Sequence, residues 1–152
     1  MKMKTCMLVV KNMEKAKAFY TKVIGLRVLA DLDGHVVLSG GLALQTEESW
    51  KGFIQQEVTY QGNDTEIYFE EDQFDKYLEK LHGMKEIHYV HPVMECEWGQ
   101  RVIRFFDPDG HIIEVGENMK VVCQRFVAMG LSDEEVAERM SIPLRAVKNY
   151  KR

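Results

Sequence analysis

The strongest structural signal in this chain is Trp98-Gly-Gln-Arg-Val-Ile-Arg-Phe-Phe-Asp-Pro-Asp-Gly-His-Ile-Ile-Glu-Val-Gly116. Residues 102–106 and 111–115 are rich in β-branched and aromatic side chains, which favour strands. Asp107-Pro-Asp-Gly110 between them is typical of a tight turn, because proline fixes φ early in the turn and glycine accepts a positive φ at its end. The segment therefore predicts a β-hairpin. It also draws attention to Glu114, since a carboxylate on a mostly apolar strand needs a partner or a use.

The composition is that of an ordinary globular protein. The chain has 152 residues, of which 45% are hydrophobic and 29% charged, enough for one domain with a core and a small appendage. No apolar run approaches the roughly 18 residues that a membrane span needs, and the apolar stretch at residues 6–10 is too short for a signal peptide. These features predict a cytoplasmic protein without a membrane partner. The three cysteines contain no Cys-x-x-Cys pair, which indicates reduced, structural thiols.

Charge is distributed unevenly along the chain. Residues 119–152 contain seven basic and four acidic side chains, a net charge of about +3, although the whole chain carries −4. The shift predicts a boundary near residue 118, between a main domain at 1–118 and a C-terminal extension at 119–152.

Residue patterns within the main domain predict the same order of elements twice. The first set is a strand, a helix and three strands, at residues 4–11, 14–23, 27–32, 35–39 and 42–45. The second set repeats that order at residues 66–70, 73–81, 87–90, 101–106 and 112–115. Apolar positions at helical spacing define the helices, and Asp33-Gly34 and Gly40-Gly41 mark turns between strands. The sequence thus predicts an α+β fold of two tandem βαβββ modules, residues 4–46 and 64–116, joined by a loop.

The extension is predicted to be helical. A first helix spans about 120–129 and ends at Gly130. Ser132 and Glu135 form a capping-box pattern for a second helix that runs to about Met140. Pro143 occupies a favourable first helical position for a third, basic helix to Tyr150.

Three motifs in the main domain resemble those of a known superfamily. They are Val10-Lys-Asn-Met-Glu-Lys-Ala-Lys-Ala-Phe-Tyr-Thr-Lys-Val-Ile-Gly-Leu26, Glu66-Ile-Tyr-Phe-Glu70 and Asp107-Pro-Asp-Gly-His-Ile-Ile-Glu114. In this order they resemble the vicinal-oxygen-chelate superfamily, which includes glyoxalase I, extradiol dioxygenases and the bleomycin- and fosfomycin-resistance proteins. The resemblance covers about residues 4–116. It implies that each module curls into half of a mixed sheet around a cleft, and that the protein forms a homodimer.

The resemblance also implies a divalent-metal site. Its ligand positions fall on Thr5, Gln45, Glu66 and Glu114, and metal-dependent members usually carry histidine at the position of Thr5. The remaining ligands, Gln45, Glu66 and Glu114, are oxygen donors that suit Mg²⁺ or Mn²⁺ better than a structural zinc, although Ni²⁺ and Zn²⁺ also belong to the expectation. A bound metal would act as a Lewis acid, and Glu66 or Glu114 would serve as the catalytic general base. The alternative is that both glutamates are polar residues that line a cleft without metal.

Other candidate residues have two interpretations each. Trp98 could form one wall of a substrate pocket and Arg101 could bind an anionic group, or Trp98 could pack over the sheet while Arg101 is exposed to solvent. His88 and His91 are predicted to be surface residues, because alternation along a strand would place them on different faces.

The segment Gly130-Leu-Ser-Asp-Glu-Glu-Val-Ala-Glu-Arg-Met-Ser-Ile-Pro-Leu-Arg-Ala-Val-Lys148 looks like a bacterial helix-turn-helix. Its basic residues would suit phosphate contacts, but the negative charge of the whole chain disfavours a nucleic-acid partner. We favour helices that pack on the β domain or on a partner subunit.

Three functions of different classes follow. The first is a metal-dependent glyoxalase-like lyase, isomerase or dioxygenase acting on a small molecule. The second is a metal-free protein that binds a drug or metabolite. The third is a ligand-responsive DNA-binding regulator.

Overall fold

The computed structural model describes all 152 residues and has an α+β architecture with two four-stranded mixed sheets. The strands are β1 (Cys6–Val10), β2 (Val28–Leu32), β3 (His35–Leu38), β4 (Leu42–Thr46), β5 (Glu66–Glu71), β6 (His88–Glu95), β7 (Arg101–Phe106) and β8 (Ile112–Glu117). The helices are α1 (Met13–Phe19), α2 (Glu47–Ile54), α3 (Phe74–His82), α4 (Met119–Ala128), α5 (Asp133–Arg139) and α6 (Leu144–Tyr150). The predicted pair of βαβββ modules is confirmed.

The first compact unit contains residues 1–64 and 107–111. Its sheet has the order β1-β4-β3-β2, with β1 parallel to β4 and the other pairs antiparallel. The side chain of Asn12 caps α1 by accepting a hydrogen bond from the backbone of Lys15. A π-helical turn, Tyr20–Ile24, extends α1. Gly25 then ends the helix at φ 89°, the left-handed conformation that glycine adopts most readily.

The turn at residues 107–111 is organised by one buried carboxylate. Asp107 Oδ1 accepts hydrogen bonds from the backbone nitrogens of Asp109 (2.9 Å) and His111 (2.8 Å). Its Oδ2 accepts one from the Tyr20 hydroxyl at 2.8 Å and lies 2.7 Å from His111 Nδ1. Burial opposes ionisation of Asp107, but the contacts with His111 and Tyr20 outweigh burial and lower its pKa. The carboxylate therefore replaces the backbone partners that a tight turn leaves unsatisfied.

The second compact unit contains residues 65–106 and 112–152. Its sheet has the order β5-β8-β7-β6. Helix α3 buries Phe74, Tyr77 and Leu81. Residues 119–152 belong to the same compact unit as the second module, and the domain boundary expected near residue 118 stays a prediction.

Helices α4, α5 and α6 share a core of their own. Its buried members are Val122, Cys123, Phe126, Val136, Met140 and Val147. The predicted capping box forms, since the side chain of Ser132 and that of Glu135 each accept a hydrogen bond from the other's backbone. Pro143 is the N-cap of α6, one position before the predicted one.

A buried carboxylate, Glu117, joins α4 to the end of the second sheet. Its side chain is 2% exposed, and its oxygens lie 3.0 Å from Arg101 Nη2 and 3.1 Å from Arg125 Nη2. Burial raises the pKa of Glu117, but the two guanidinium groups outweigh this effect and lower it. The ion pairs therefore favour the charged form at neutral pH.

Two elements differ from the prediction. Residues 47–54, predicted to lie in a loop, form α2, whose first turn carries Glu47 and Glu48, an arrangement that the helix dipole favours. Strand β6 extends to Glu95, past the predicted end at Val90, and accommodates Pro92 with two shifts in its register against β7. None of the helices has both the length and the apolar character of a membrane-spanning segment.

We predict that Glu117→Gln lowers the free energy of unfolding by about 3 kcal/mol at pH 7, because a buried ion-pair network loses its anion. Since the pKa of Glu117 is lowered in the folded state, its stabilisation is present above the ordinary glutamate pKa and is lost as pH falls. The difference from the parent protein should therefore shrink below about pH 4. Urea unfolding across pH measures it.

The matched control is Glu95→Gln. Glu95 pairs with Arg139 and Arg125, but its side chain is 43% exposed, so we expect a loss of at most about 1 kcal/mol. Equal losses for both substitutions would contradict the role assigned to Glu117.

Candidate functional site

One face of the second sheet is lined by polar side chains that strand pairing places in a row. Tyr68 pairs with Glu114, Glu114 with Arg104, and Arg104 with His91. Because paired residues project to the same side of a sheet, these four side chains share one face. We call this the polar face; it also carries Glu66 and Glu70, two residues to either side of Tyr68 on β5.

Arg104 is the centre of a cluster on the polar face. Its Nη2 contacts Glu114 Oε2, and its Nε lies 3.0 Å from Glu66 Oε2. Its Nη1 lies 3.2 Å from His91 Nε2. One guanidinium group thus has two carboxylates and an imidazole as neighbours.

Glu114 is 6% exposed and is the most buried acid of this cluster. Burial raises the pKa of its carboxyl, Arg104 opposes that change, and the nearby charge of Glu66 adds to it. Glu114, the one carboxylate on its mostly apolar strand, therefore has a partner on the neighbouring strand β7. That partner is a cation of the same sheet.

A second group of polar side chains extends the face toward the loop at residues 96–100. Trp98 Nε1 donates a hydrogen bond to Gln100 Oε1 at 3.0 Å. The amide of Gln100 then donates to the Tyr68 hydroxyl at 2.7 Å and to the Glu117 carbonyl at 2.8 Å. These bonds fix Gln100 between the loop and the sheet.

Gly116 makes that packing possible. A Cβ at this position would lie 2.7 Å from Gln100 Nε2 and 3.0 Å from the Tyr68 ring. Tyr68 and Trp98 nevertheless stay 45% and 40% exposed, so two aromatic surfaces remain accessible. Burial raises the pKa of Tyr68 to about 12, so its hydroxyl is protonated at neutral pH.

The predicted site residue Arg101 lies on the other face of the sheet. Its guanidinium forms ion pairs with Asp75 of α3 at 2.7 Å and with Glu117 at 3.0 Å, and lies 5.2 Å from the centre of the Phe74 ring. The two carboxylates therefore neutralise the positive charge of Arg101. Arg104, which the sequence analysis did not select, is the arginine beside Glu114.

The predicted metal ligands are divided between the two units. Gln45, in the first unit, is 5% exposed. Its Oε1 lies 2.7 Å from His35 Nδ1 and its Nε2 donates to Ser49 Oγ at 2.6 Å. Thr5 donates to the Gly41 carbonyl at 2.8 Å. Both ends of the Gln45 amide are therefore already bonded within its own unit.

The residues of the polar face do not fit a divalent metal. Glu66 and Glu114 both contact Arg104, whose positive charge competes directly with a cation for their oxygens. No group of three or more His, Cys, Asp or Glu side chains is arranged to hold a metal ion.

The site includes residues that sequence reasoning missed. Irregular register in β6 places His88 opposite Phe106 and His91 opposite Arg104, although simple alternation predicted different faces for the two histidines. Arg104 and Glu114 could have been matched by counting equal distances outward from the turn. No pattern in the sequence identifies Gln100 as a site residue.

The family described as glyoxalase-like domain matches residues 3–120. A solved structure of a protein of unknown function from Agrobacterium tumefaciens str. C58 is 29% identical, with a TM-score of 0.70, and the match covers 78% of this chain and 94% of that one. No curated protein matches the chain.

Two more distant structures have the same fold. A lactoylglutathione lyase from Agrobacterium tumefaciens is 23% identical, with a TM-score of 0.61 over 78% of this chain and 94% of its own. A glyoxalase/bleomycin resistance protein/dioxygenase from Nocardioides is 20% identical, with a TM-score of 0.62 over 76% and 82%.

We predict that Arg104→Met destabilises the protein by about 2 kcal/mol at pH 8, because buried Glu114 loses its cation. The loss should be smaller at pH 5. The pKa of Glu114 is already raised, and without Arg104 it rises further, so stability is retained at low pH and lost as pH increases. Thermal or urea unfolding at the two pH values measures the effect.

The same substitution in a Glu114→Gln protein is the control. With no carboxylate to neutralise, Arg104→Met should cost less than about 1 kcal/mol and show little pH dependence. An equal penalty in both proteins would contradict the pairing of Arg104 with Glu114.

Proposed function

Since the chain belongs to the glyoxalase-like domain family, we propose that it is a metal-free member that binds a small organic molecule on the polar face. The observation that carries the proposal is the position of Arg104 between Glu66 and Glu114. The guanidinium group supplies the positive charge that these carboxylates require. It does so with fixed hydrogen bonds and without an exchangeable ion.

The charge of the polar face and its exposed aromatic rings favour a particular class of ligand. Three carboxylates, those of Glu66, Glu70 and Glu114, accompany the single guanidinium of Arg104, so anionic ligands are disfavoured. The exposed rings of Tyr68 and Trp98 offer surfaces for stacking and for cation–π contact. A neutral or cationic aromatic molecule matches both features.

The metal-dependent lyase or isomerase is the alternative. It would use Gln45, Glu66 and Glu114 as ligands and one of the glutamates as a general base. The family supports this alternative in general, because one fold can host several chemistries, but the bonds already made by these side chains oppose it. We also propose that the protein forms a homodimer, as the resemblance to the superfamily implies.

We predict that the purified protein binds no stoichiometric Mn²⁺, Ni²⁺ or Zn²⁺ in calorimetric titrations and does not turn over lactoylglutathione in their presence. Arg104→Ser should bind Mn²⁺ measurably, because Glu66, Glu114 and His91 lose their common partner. The control is Arg104→Ser combined with Glu114→Gln, in which binding should weaken at least tenfold. Stoichiometric metal in the parent protein that is lost in Glu114→Gln would overturn the proposal.

We predict that three probes with the same ring bind in the order benzyltrimethylammonium, benzyl alcohol, benzoate, because charge on the polar face favours cations. Titration followed by the fluorescence of Trp98, in a Trp50→Phe protein, measures the affinities. Glu70→Gln should lower the affinity for benzyltrimethylammonium several-fold and leave the affinity for benzyl alcohol unchanged. Tightest binding of benzoate would contradict the charge argument.

A further inference from the structure

The C-terminal helices reach the candidate site through one loop. Residues 96–100 connect β6 to β7 and carry Trp98 and Gln100, both of which belong to the site. The loop is closed by hydrogen bonds from the Cys96 nitrogen to the Gln100 carbonyl and from the Gly99 nitrogen to the Cys96 carbonyl, each 2.8 Å. On the side of α4, two consecutive residues of that helix contact the loop.

The first contact is a charged hydrogen bond. Arg125 Nη2 donates to the Gly99 carbonyl at 2.6 Å and lies 3.1 Å from Glu117 Oε2. Because Glu117 also accepts from Arg101, the arginine of α4 is tied both to the sheet and to the loop. One side chain thus fixes the distance between them.

The second contact is steric. Gly99 has φ +85°, and a Cβ added there would lie 2.3 Å from Phe126 Cζ. The Phe126 ring therefore packs directly against the backbone of the residue that follows Trp98. The guanidinium groups of Arg125 and Arg139 lie 5.0 and 5.5 Å from the centre of this ring, and Arg139 also pairs with Glu95, just before the loop, at 3.0 Å.

The geometry points to Arg125 and Phe126 as positioning residues of the binding site: the C-terminal helices hold the loop that presents Trp98 and Gln100 to the polar face. Phe126 is buried, and the contacts of Arg125 are with the Gly99 carbonyl, Glu117 and Glu95. The path runs from α4 to Gly99, then through Trp98 and Gln100 to the Tyr68 hydroxyl. This inference goes beyond the family match, which ends at residue 120, and its consequence for affinity rests on the proposed function.

The arrangement couples the position of the helices to the position of the loop that carries Trp98 and Gln100. If the bound ligand requires the loop in its docked position, ligand binding and helix docking stabilise each other by the same free energy. Any change that loosens the packing of α4 should then lower the affinity for the ligand. Conversely, an occupied site should hold α4 more firmly.

Acrylamide quenching of Trp98 in the Trp50→Phe protein tests the positioning role without any ligand. We expect Arg125→Met and Phe126→Leu each to raise the quenching constant about twofold, because a released loop exposes the indole. Arg125→Lys keeps a positively charged donor but loses the planar guanidinium that donates to two acceptors at once, so it should give an intermediate value. Arg145→Met on α6, at an exposed position, is the control and should leave quenching unchanged.

Circular dichroism establishes that each variant is folded. Unchanged quenching in folded Arg125→Met and Phe126→Leu proteins would overturn the inference. Benzyltrimethylammonium should bind both variants at least threefold more weakly than their parent, and equal affinity despite increased quenching would overturn the link to the ligand. Failure of the parent to bind any probe would instead count against the proposed function, and the quenching result would still decide the positioning role.

Discussion

The buried carboxylate of Asp107 is the constraint from which the arrangement of the second sheet follows. By accepting hydrogen bonds from two backbone nitrogens of its own turn, it fixes where β7 ends and β8 begins. The register of the two strands is then determined, because antiparallel partners lie at equal distances from the turn. Arg104 must face Glu114, and Gly116 must face Val102. A shift by one residue would move the glutamate to the opposite side of the sheet.

Arginine residues neutralise buried acids on both faces of this sheet. Arg104 pairs with Glu114 on the polar face, whereas Arg101 and Arg125 pair with Glu117, the last residue of β8, on the other face. Arginine suits this role because its planar group donates to two acceptors at once and stays charged in a partly buried setting. The protein thereby achieves with its own side chains the charge balance that a bound cation would give. The cost is that these carboxylates are less available for other chemistry.

The sequence was sufficient for the fold because its information is local. Turn residues, helix caps and apolar spacing identified both modules and the capping box at Ser132, while α2 was missed because residues 47–54 lie in a segment with no strong boundary signal. The site was less predictable. Glu114 and Trp98 stand out in the sequence as unusual residues, whereas Arg104 is identified as the partner of Glu114 only by the register of β7 against β8. The contact of Phe126 with Gly99 joins residues far apart in the sequence, and no local pattern encodes it.

The short connection between β8 and α4 limits how the C-terminal helices could be transferred to another protein. Only Asn118 separates the last residue of the strand from the first residue of the helix, and its backbone nitrogen donates to Glu71 while its side chain caps α4. An α-helix turns by about 100° per residue, so a single inserted residue would rotate Arg125 and Phe126 away from Gly99. The length of this junction therefore sets the rotation of α4 about its axis, and with it the position of all three C-terminal helices relative to the sheet. They could not be transplanted to another glyoxalase-like domain by simple fusion unless the junction kept its length to the residue.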